Sequence, residues 1–110
     1  MDRIETLTAL RDTLRDFCTE RDWHRYHTPK NLAMALIVEA AELVEHFQWM
    51  TPEESLALSP EKLAAVRDEV ADTFIYLVEL ADVLGVELEE ATAIHNAARQ
   101  EYEKNMASSK

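Results

Sequence analysis

The chain of 110 residues is long enough for one domain with a hydrophobic core. Its 47% hydrophobic and 30% charged residues are typical of a globular protein and exclude a disordered chain. The net charge of −11, from 22 acidic and 11 basic residues, argues against nucleic-acid binding, which needs a basic surface. One glycine and three prolines favour long helices over sandwiches or barrels, because those folds need many turn residues.

The N-terminus, the apolar runs and the cysteine content indicate the compartment and any membrane segment. The stretch MDRIETLTALRD lacks the apolar region of a signal peptide, and the longest apolar run is too short for a bilayer. Cys18 is the only cysteine, so no internal disulfide can form, and we interpret it as a small core residue. These observations predict a cytoplasmic protein with no membrane partner.

Hydrophobic periodicity divides the chain into four principal helices and one short extra helix. Thr28-Pro29, Thr51-Pro52 and Ser59-Pro60 each pair an N-cap residue with a proline at the first helical position. Gly85 is a predicted C-cap. The all-α class and an antiparallel four-helix bundle follow from this pattern. The predicted helices cover residues 3–21, 29 to about 49, 52–58, 60–84 and about 87–103.

The stretch Leu32–Trp49 is apolar on nearly every face, and Glu39 and Glu42 interrupt it one turn apart. A helix that is apolar all round is expected to be buried, so these carboxylates need a compensating partner. The apolar surface of the second and third long helices exceeds what one bundle can cover. The sequence therefore predicts a homo-oligomer, either a dimer or a tetramer.

A matching acidic pair, Glu69 and Asp72, lies on the third long helix. Four carboxylates from two helices repel one another unless a hard cation lies between them. Oxygen ligands favour Mg²⁺ or, as the alternative, Mn²⁺ over zinc. A di-iron centre is not indicated, because the sequence lacks the Glu-x-x-His motif of such centres. The predicted metal ligands are Glu39, Glu42, Glu69 and Asp72.

This constellation resembles the MazG-like all-α nucleoside-triphosphate pyrophosphohydrolases, whose hallmark is E-x-x-E followed by E-x-x-D on the next long helix. Longer stretches resemble the dCTP pyrophosphatase branch, namely RDWHRYHTPKNL (21–32), EAAELVEHFQW (39–49) and DEVADTFIYL (68–77). The resemblance implies a single MazG-like domain over residues 1–110. It also implies hydrolysis of a nucleoside triphosphate, dCTP or a related or modified dNTP, to monophosphate and pyrophosphate, as housecleaning of the nucleotide pool.

The catalytic residues expected from this chemistry are three glutamates. Glu39 and Glu42 would act through the metal, and Glu42 or Glu45 would orient the attacking water as general base. For Glu45, the alternative is a non-catalytic glutamate at the rim of the site, near the end of the helix. The resemblance implies aromatic stacking on the base, and basic residues before the metal helix could meet phosphate oxygens. The predicted substrate-binding residues are Trp23, His27, Lys30, Trp49 and Tyr76.

Two departures from the family pattern leave an alternative open. Leu14 stands where that branch has a histidine. The last helix, IHNAARQEYEKN (94–105), has no clear match to the branch's Lys and Asn pair, and the candidates to replace that pair are His95, Arg99, Lys104 and Asn105. The alternative function is a non-catalytic helical nucleotide-binding, metal-binding or regulatory interaction protein. A structural dimer whose acidic groups are satisfied by solvent is a third reading.

Overall fold

The computed structural model describes residues 6–88, 90 and 96–108, and within them every regular element is a helix. The all-α prediction is therefore confirmed. A short 3-10 helix, His24–Tyr26, lies between the first two long helices. The α-helices are α1 (Leu7–Glu20), α2 (Pro29–Glu45), α3 (Pro52–Ser55), α4 (Pro60–Leu84) and α5 (Asn96–Ser108).

Local capping chemistry sets most helix boundaries. The Thr28 side chain accepts a hydrogen bond from the Asn31 N–H at 3.2 Å, and Ser59 accepts one from the Lys62 N–H at 3.1 Å. Gly85 ends α4 at φ +72°, a left-handed conformation that glycine adopts without a Cβ penalty. The predicted starts of α2 and α4 and the predicted end of α4 are confirmed.

Three predicted helix ends are wrong. Helix α2 ends at Glu45 rather than near Trp49, because Phe47 and Met50 donate to carbonyls three residues earlier and tighten the chain into turns. Helix α3 ends at Ser55 rather than Leu58, since the chain must reverse before the extended Ser59 cap of α4.

The last helix also extends further than predicted. It continues to Ser108 rather than ending near residue 103. The first part of the predicted helix, from about residue 87, includes positions 89 and 91–95, which lie outside the described residues. His95 is one of these positions.

Helix α4 is the centre of the packing. Its most extensive contact is with α2 and a smaller one is with α1, whereas α5 has no comparable contact with another described helix. Arg15 Nε donates to Asp82 Oδ2 at 3.1 Å, which ties α1 to α4. The core is formed by Cys18, Leu32, Val66, Val78 and Ala81. Three helices thus pack together, and the complete four-helix bundle stays a prediction.

The expectation that α2 is buried on all sides is wrong for the single chain. Leu32 is its one fully buried residue among those described, while Met34, Ile37, Val38 and Val44 are each more than half exposed. Helix α2 is covered by α4 on one side, and its opposite side is exposed among the residues that the structure describes. No helix of the described residues is long and apolar enough to cross a membrane.

Candidate metal centre

The contact between α2 and α4 brings three predicted metal ligands together. Glu39 of α2 and Glu69 and Asp72 of α4 each place a carboxylate oxygen within 4.8 Å of the others. The spacing of three residues puts Glu69 and Asp72 on neighbouring positions of one helix face, opposite Glu39. Glu42, the fourth predicted ligand, lies one turn beyond Glu39 and is not part of this group of three.

Two oxygen atoms in this cluster are buried without a partner. Oε2 of Glu39 and Oε2 of Glu69 accept no hydrogen bond in the part of the chain that the structure describes. Proximity to the Glu69 carboxyl, burial, and the charges of Glu69 and Asp72 raise the pKa of Glu39, and Glu42 opposes the shift. Buried polar atoms of native proteins are normally satisfied. A hard divalent cation would satisfy both atoms and neutralise the repulsion, so the residues fit Mg²⁺ or Mn²⁺.

No lysine or arginine of residues 6–88, 90 and 96–108 forms an ion pair with this cluster. The neighbouring cations are engaged elsewhere. Lys62 Nζ, for example, lies 3.3 Å from His46 Nδ1. Protein cations therefore leave the charge of the acidic cluster uncompensated.

The two candidates for general base differ in exposure. Glu42 is half-buried and close enough to Glu39 to affect its pKa. Glu45 is exposed at the last residue of α2 and is not among the residues lining the adjacent cavity. The structure thus places Glu42, and not Glu45, next to the metal ligands.

A cavity of about 410 Å³ opens beside the acidic cluster. Its volume lies in the range of small-molecule sites. Glu39 and Asp72 contribute carboxylates to its wall, and the rest is largely aromatic and aliphatic. The lining residues are Leu14, Phe17, Trp23, His27, Glu39, Asp72, Ile75, Tyr76 and Glu79.

Three of the five predicted substrate-binding residues line this cavity, namely Trp23, His27 and Tyr76. Burial is the main cause that raises the pKa of the Tyr76 hydroxyl, and nearby carboxylates add to it. Trp49 and Lys30 are not among the lining residues. Trp49 is 89% exposed, and Lys30 is an exposed residue of the first turn of α2.

Sequence reasoning missed Glu79. This carboxylate lines the cavity seven residues after Asp72 and three after Tyr76, positions that share one face of α4. Helical spacing places Tyr76 one turn after Asp72, and the same spacing continued by one more turn would have found Glu79. Cys18 is buried as predicted, at 3% exposure, but it faces His27 and Glu79 rather than only apolar neighbours.

The fold and this site define an all-α protein with a carboxylate cluster suited to a divalent cation. The model of the MazG-like family matches residues 34–110, which is more than half of the chain. The chain belongs to the MazG-like family.

Similar proteins agree with this assignment. The chain is 44% identical to dCTP pyrophosphatase 1 of Bos taurus over 88 residues and 44% identical to that of Homo sapiens over 85 residues. These matches cover 78% and 76% of the chain but 52% and 50% of the relatives, so the chain spans about half their length. The crystal structure of a pyrophosphatase from Archaeoglobus fulgidus matches with a TM-score of 0.75 and 36% identity, covering 98% of this chain and 95% of the other.

Proposed function

We propose that this chain hydrolyses a nucleoside triphosphate to the monophosphate and pyrophosphate, with Mg²⁺ as cofactor and dCTP or a related or modified dNTP as substrate. The observation that carries the proposal is the carboxylate cluster of Glu39, Glu69 and Asp72 at the wall of an aromatic-lined cavity. The names of the similar proteins, dCTP pyrophosphatase 1 and a pyrophosphatase, support the reaction and the substrate class.

The two kinds of cavity wall suit the two ends of a nucleotide. A triphosphate is strongly anionic and would be repelled by bare carboxylates, so its place beside Glu39 and Asp72 requires a divalent cation. A nucleobase is flat and weakly polar, and Trp23 and Tyr76 offer aromatic surface at the same cavity. The substrate would therefore lie with its phosphates toward the acidic cluster.

Glu39, Glu69 and Asp72 would hold Mg²⁺. Glu42, which the sequence predicts both as a fourth ligand and as a general base, lies outside this group of three and is assigned as the general base. When bound, Mg²⁺ supplies neutralisation of phosphate charge and makes a water molecule easier to deprotonate. Mn²⁺ prefers the same oxygen ligands and would serve as a substitute.

The protein's own groups position the reactants. Glu42 is half-buried beside Glu39, where its carboxylate can orient a water and accept its proton. Attack by that water on the α-phosphorus forms a new P–O bond and breaks the bond to the β-phosphate, which leaves as pyrophosphate. Neither Glu42 nor Glu45 lines the cavity itself. We assign the general base to Glu42 because it is half-buried and interacts with Glu39, whereas Glu45 is exposed at the end of α2.

The remaining substrate contacts are assigned by position. His27 lines the cavity and can meet the nucleotide through its Nε2 atom, because its Nδ1 atom faces Cys18 and Glu79. Lys30 follows the 3-10 helix and could approach the phosphates from the start of α2. Trp49 does not line the cavity of its own chain, so we retain it as a base contact for the assembled oligomer only.

A homo-oligomer, dimer or tetramer, accounts for the surface of the single chain. The chain exposes 8659 Å², whereas a compact monomer of this mass exposes about 6,200 Å². The radius of gyration is 16.3 Å, compared with about 13 Å for a compact domain of this length. The uncovered side of α2, with Met34, Ile37 and Val38 exposed, supplies apolar surface for such an interface.

The whole of residues 1–110 would act as one MazG-like domain in a reducing cytoplasm, where a lone cysteine stays a thiol. No nucleic-acid partner is proposed, because the chain carries a net charge of −11.

The test is product analysis on a panel of canonical and modified NTPs and dNTPs with Mg²⁺, separating pyrophosphate from orthophosphate. We expect monophosphate and pyrophosphate, fastest with dCTP or a close relative. Orthophosphate as the product would contradict the reaction class. Calorimetric nucleotide binding without turnover at saturating Mg²⁺ or Mn²⁺ would instead favour the non-catalytic binding protein.

A further inference from the structure

A second group of ligand atoms lies at the cavity, apart from the acidic cluster. It consists of Cys18 of α1, His27 from the loop before α2, and Glu79 of α4. Cys18 Sγ is 3.7 Å from His27 Nδ1 and 3.7 Å from Glu79 Oε1, and His27 Nδ1 is 4.0 Å from Glu79 Oε2. Three separate elements thus direct a thiol, an imidazole and a carboxylate toward one point.

The Cys18 thiol donates a weak hydrogen bond to Glu79, whereas the separation of His27 and Glu79 leaves room for a shared ion. A hydrogen bond between nitrogen and oxygen spans about 2.7–3.2 Å, so the 4.0 Å separation of His27 and Glu79 is too long for one. In a tetrahedral zinc site, bonds of about 2.3 Å to sulfur and about 2.0–2.2 Å to nitrogen and oxygen place the ligand atoms about 3.3–3.6 Å apart. With one Glu79 oxygen as the ligand, the contacts at 3.7 Å would shorten by about 0.1–0.4 Å and the separation of 4.0 Å by about 0.4–0.7 Å to reach that geometry.

The surroundings of the group favour a cation. The side chains of His27 and Glu79 are 20% and 14% exposed, and Cys18 is 3% exposed. Burial raises the pKa of the Glu79 carboxyl, and the charge of His27 opposes the shift. In the described part of the chain no lysine or arginine pairs with Glu79, since Arg15 pairs with Asp82. The carboxylate therefore lacks a permanent positive partner.

We propose that Cys18, His27 and Glu79 form a Zn²⁺ site with three protein ligands and one open position. Thiolate and imidazole ligands select zinc, whereas the oxygen atoms of the acidic cluster select Mg²⁺ or Mn²⁺. Binding converts the Cys18 thiol to a thiolate and releases its proton to solvent, and the ligand atoms of His27 and Glu79 are Nδ1 and a carboxylate oxygen.

The bound ion would connect three elements that form one wall of the cavity. It joins α1 to α4 and fixes the loop that carries both His27 and the lining residue Trp23. Coordination through Nδ1 leaves the Nε2 atom of His27 available for the nucleotide, so this site and the proposed substrate contact use different atoms.

The test is a titration of the metal-free full chain with Co²⁺ in buffer without Mg²⁺, followed by absorption spectroscopy. Co²⁺ replaces Zn²⁺ in tetrahedral sites, and a bond from Co²⁺ to a thiolate gives a charge-transfer band in the near ultraviolet. Because Cys18 is the only cysteine, that band reports on this site alone. We expect one equivalent of Co²⁺ to produce the band and one equivalent of Zn²⁺ to abolish it by competition.

Variants separate this site from the acidic cluster. Cys18→Ser should remove the band, Glu79→Gln should weaken Co²⁺ binding by at least about tenfold, and Asp72→Asn should leave the band unchanged. Circular dichroism checks that each variant is folded. Absence of the band in the unmodified chain, or full-strength binding by Glu79→Gln, would overturn the proposal. Both outcomes are independent of nucleotide hydrolysis.

Discussion

Two groups of ligand atoms lie beside the same cavity, each through two of its three residues, and differ in chemistry. Asp72 and Glu79, seven residues and about 10 Å apart along α4, each contribute a carboxylate to a different group. The first group contains only oxygen atoms from α2 and α4. The second combines sulfur, nitrogen and oxygen from α1, the following loop and α4. One helix face therefore presents two environments that would select different metal ions.

The two groups also differ in how strongly they depend on a bound cation. The acidic cluster has two buried oxygen atoms without a partner, so its need for a cation is evident in the ligand atoms themselves. The second group has a histidine that can carry a positive charge, so it can persist without a metal. We therefore expect the acidic cluster to matter most for catalysis and the second group to matter for the shape of the cavity wall.

The largest expected effect follows removal of a metal ligand. Asp72→Asn should lower kcat with Mg²⁺ on the order of 10³-fold, because the transition state loses charge stabilisation. Steady-state pyrophosphate release measures the loss. The matched control is Asp68→Asn, which makes the same chemical change at an exposed position of α4 outside both groups. Equal activities of the two variants would show that Asp72 holds no catalytic metal.

The general base is tested by comparing two glutamates of α2. Glu42→Gln should lower kcat about 10²-fold, because an amide cannot accept the proton of the attacking water. Glu45→Gln should change it less than about twofold, because Glu45 is exposed outside the cavity lining. The pH profile of kcat should lose its acidic limb in the first variant alone. A larger loss for Glu45→Gln would reverse the assignment.

A smaller effect is expected at the aromatic wall. Trp23→Ala should raise KM about tenfold with little change in kcat, because stacking on a base contributes about 1–3 kcal/mol to binding. Trp23→Phe should recover most of the affinity, since the stacking surface is retained. Initial rates across substrate concentrations separate the two constants. An unchanged KM in Trp23→Ala would mean that the base lies elsewhere.

The smallest expected effect is a pH dependence of stability in the metal-free protein. The pKa of Glu39 is raised on folding, so the folded chain binds more protons than the unfolded chain. The contribution of Glu39 to stability is then largest below the ordinary pKa of a glutamate, about 4.3, and is lost as the pH rises through the raised value. Glu79 has a raised pKa and contributes with the same sign.

Melting temperatures from about pH 4 to pH 8 in the presence of a chelator measure this fall. Glu39→Gln should flatten the curve, and Mg²⁺ should do the same in the unmodified chain because it neutralises the charge. An identical slope in Glu39→Gln would show that Glu39 is not under electrostatic stress in the folded protein.

The sequence was sufficient for the features that depend on local chemistry. The caps at Thr28, Thr51 and Ser59 and the turn at Gly85 follow from side-chain and backbone preferences within a few residues, and all four are confirmed. Placing Glu39 near Glu69 and Asp72 needed only helical spacing and the packing of two long helices.

Other features depend on how distant parts of the chain meet. Cys18, His27 and Glu79 come from three elements with no shared periodicity, so no pattern in the sequence indicates their convergence. The apolar character of α2 indicated burial, but the side opposite α4 is exposed in a single chain. Apolarity shows that a surface tends to be covered and does not show whether the cover belongs to the same chain.

The most direct test of the central claim is a calorimetric titration of Mg²⁺ into the metal-free protein, with Asp72→Asn and Asp68→Asn measured beside it. We predict binding by the unmodified chain and by Asp68→Asn, and a loss of affinity of at least about tenfold in Asp72→Asn. Mg²⁺ binding of equal affinity in all three proteins would contradict the assignment of the acidic cluster as the metal centre.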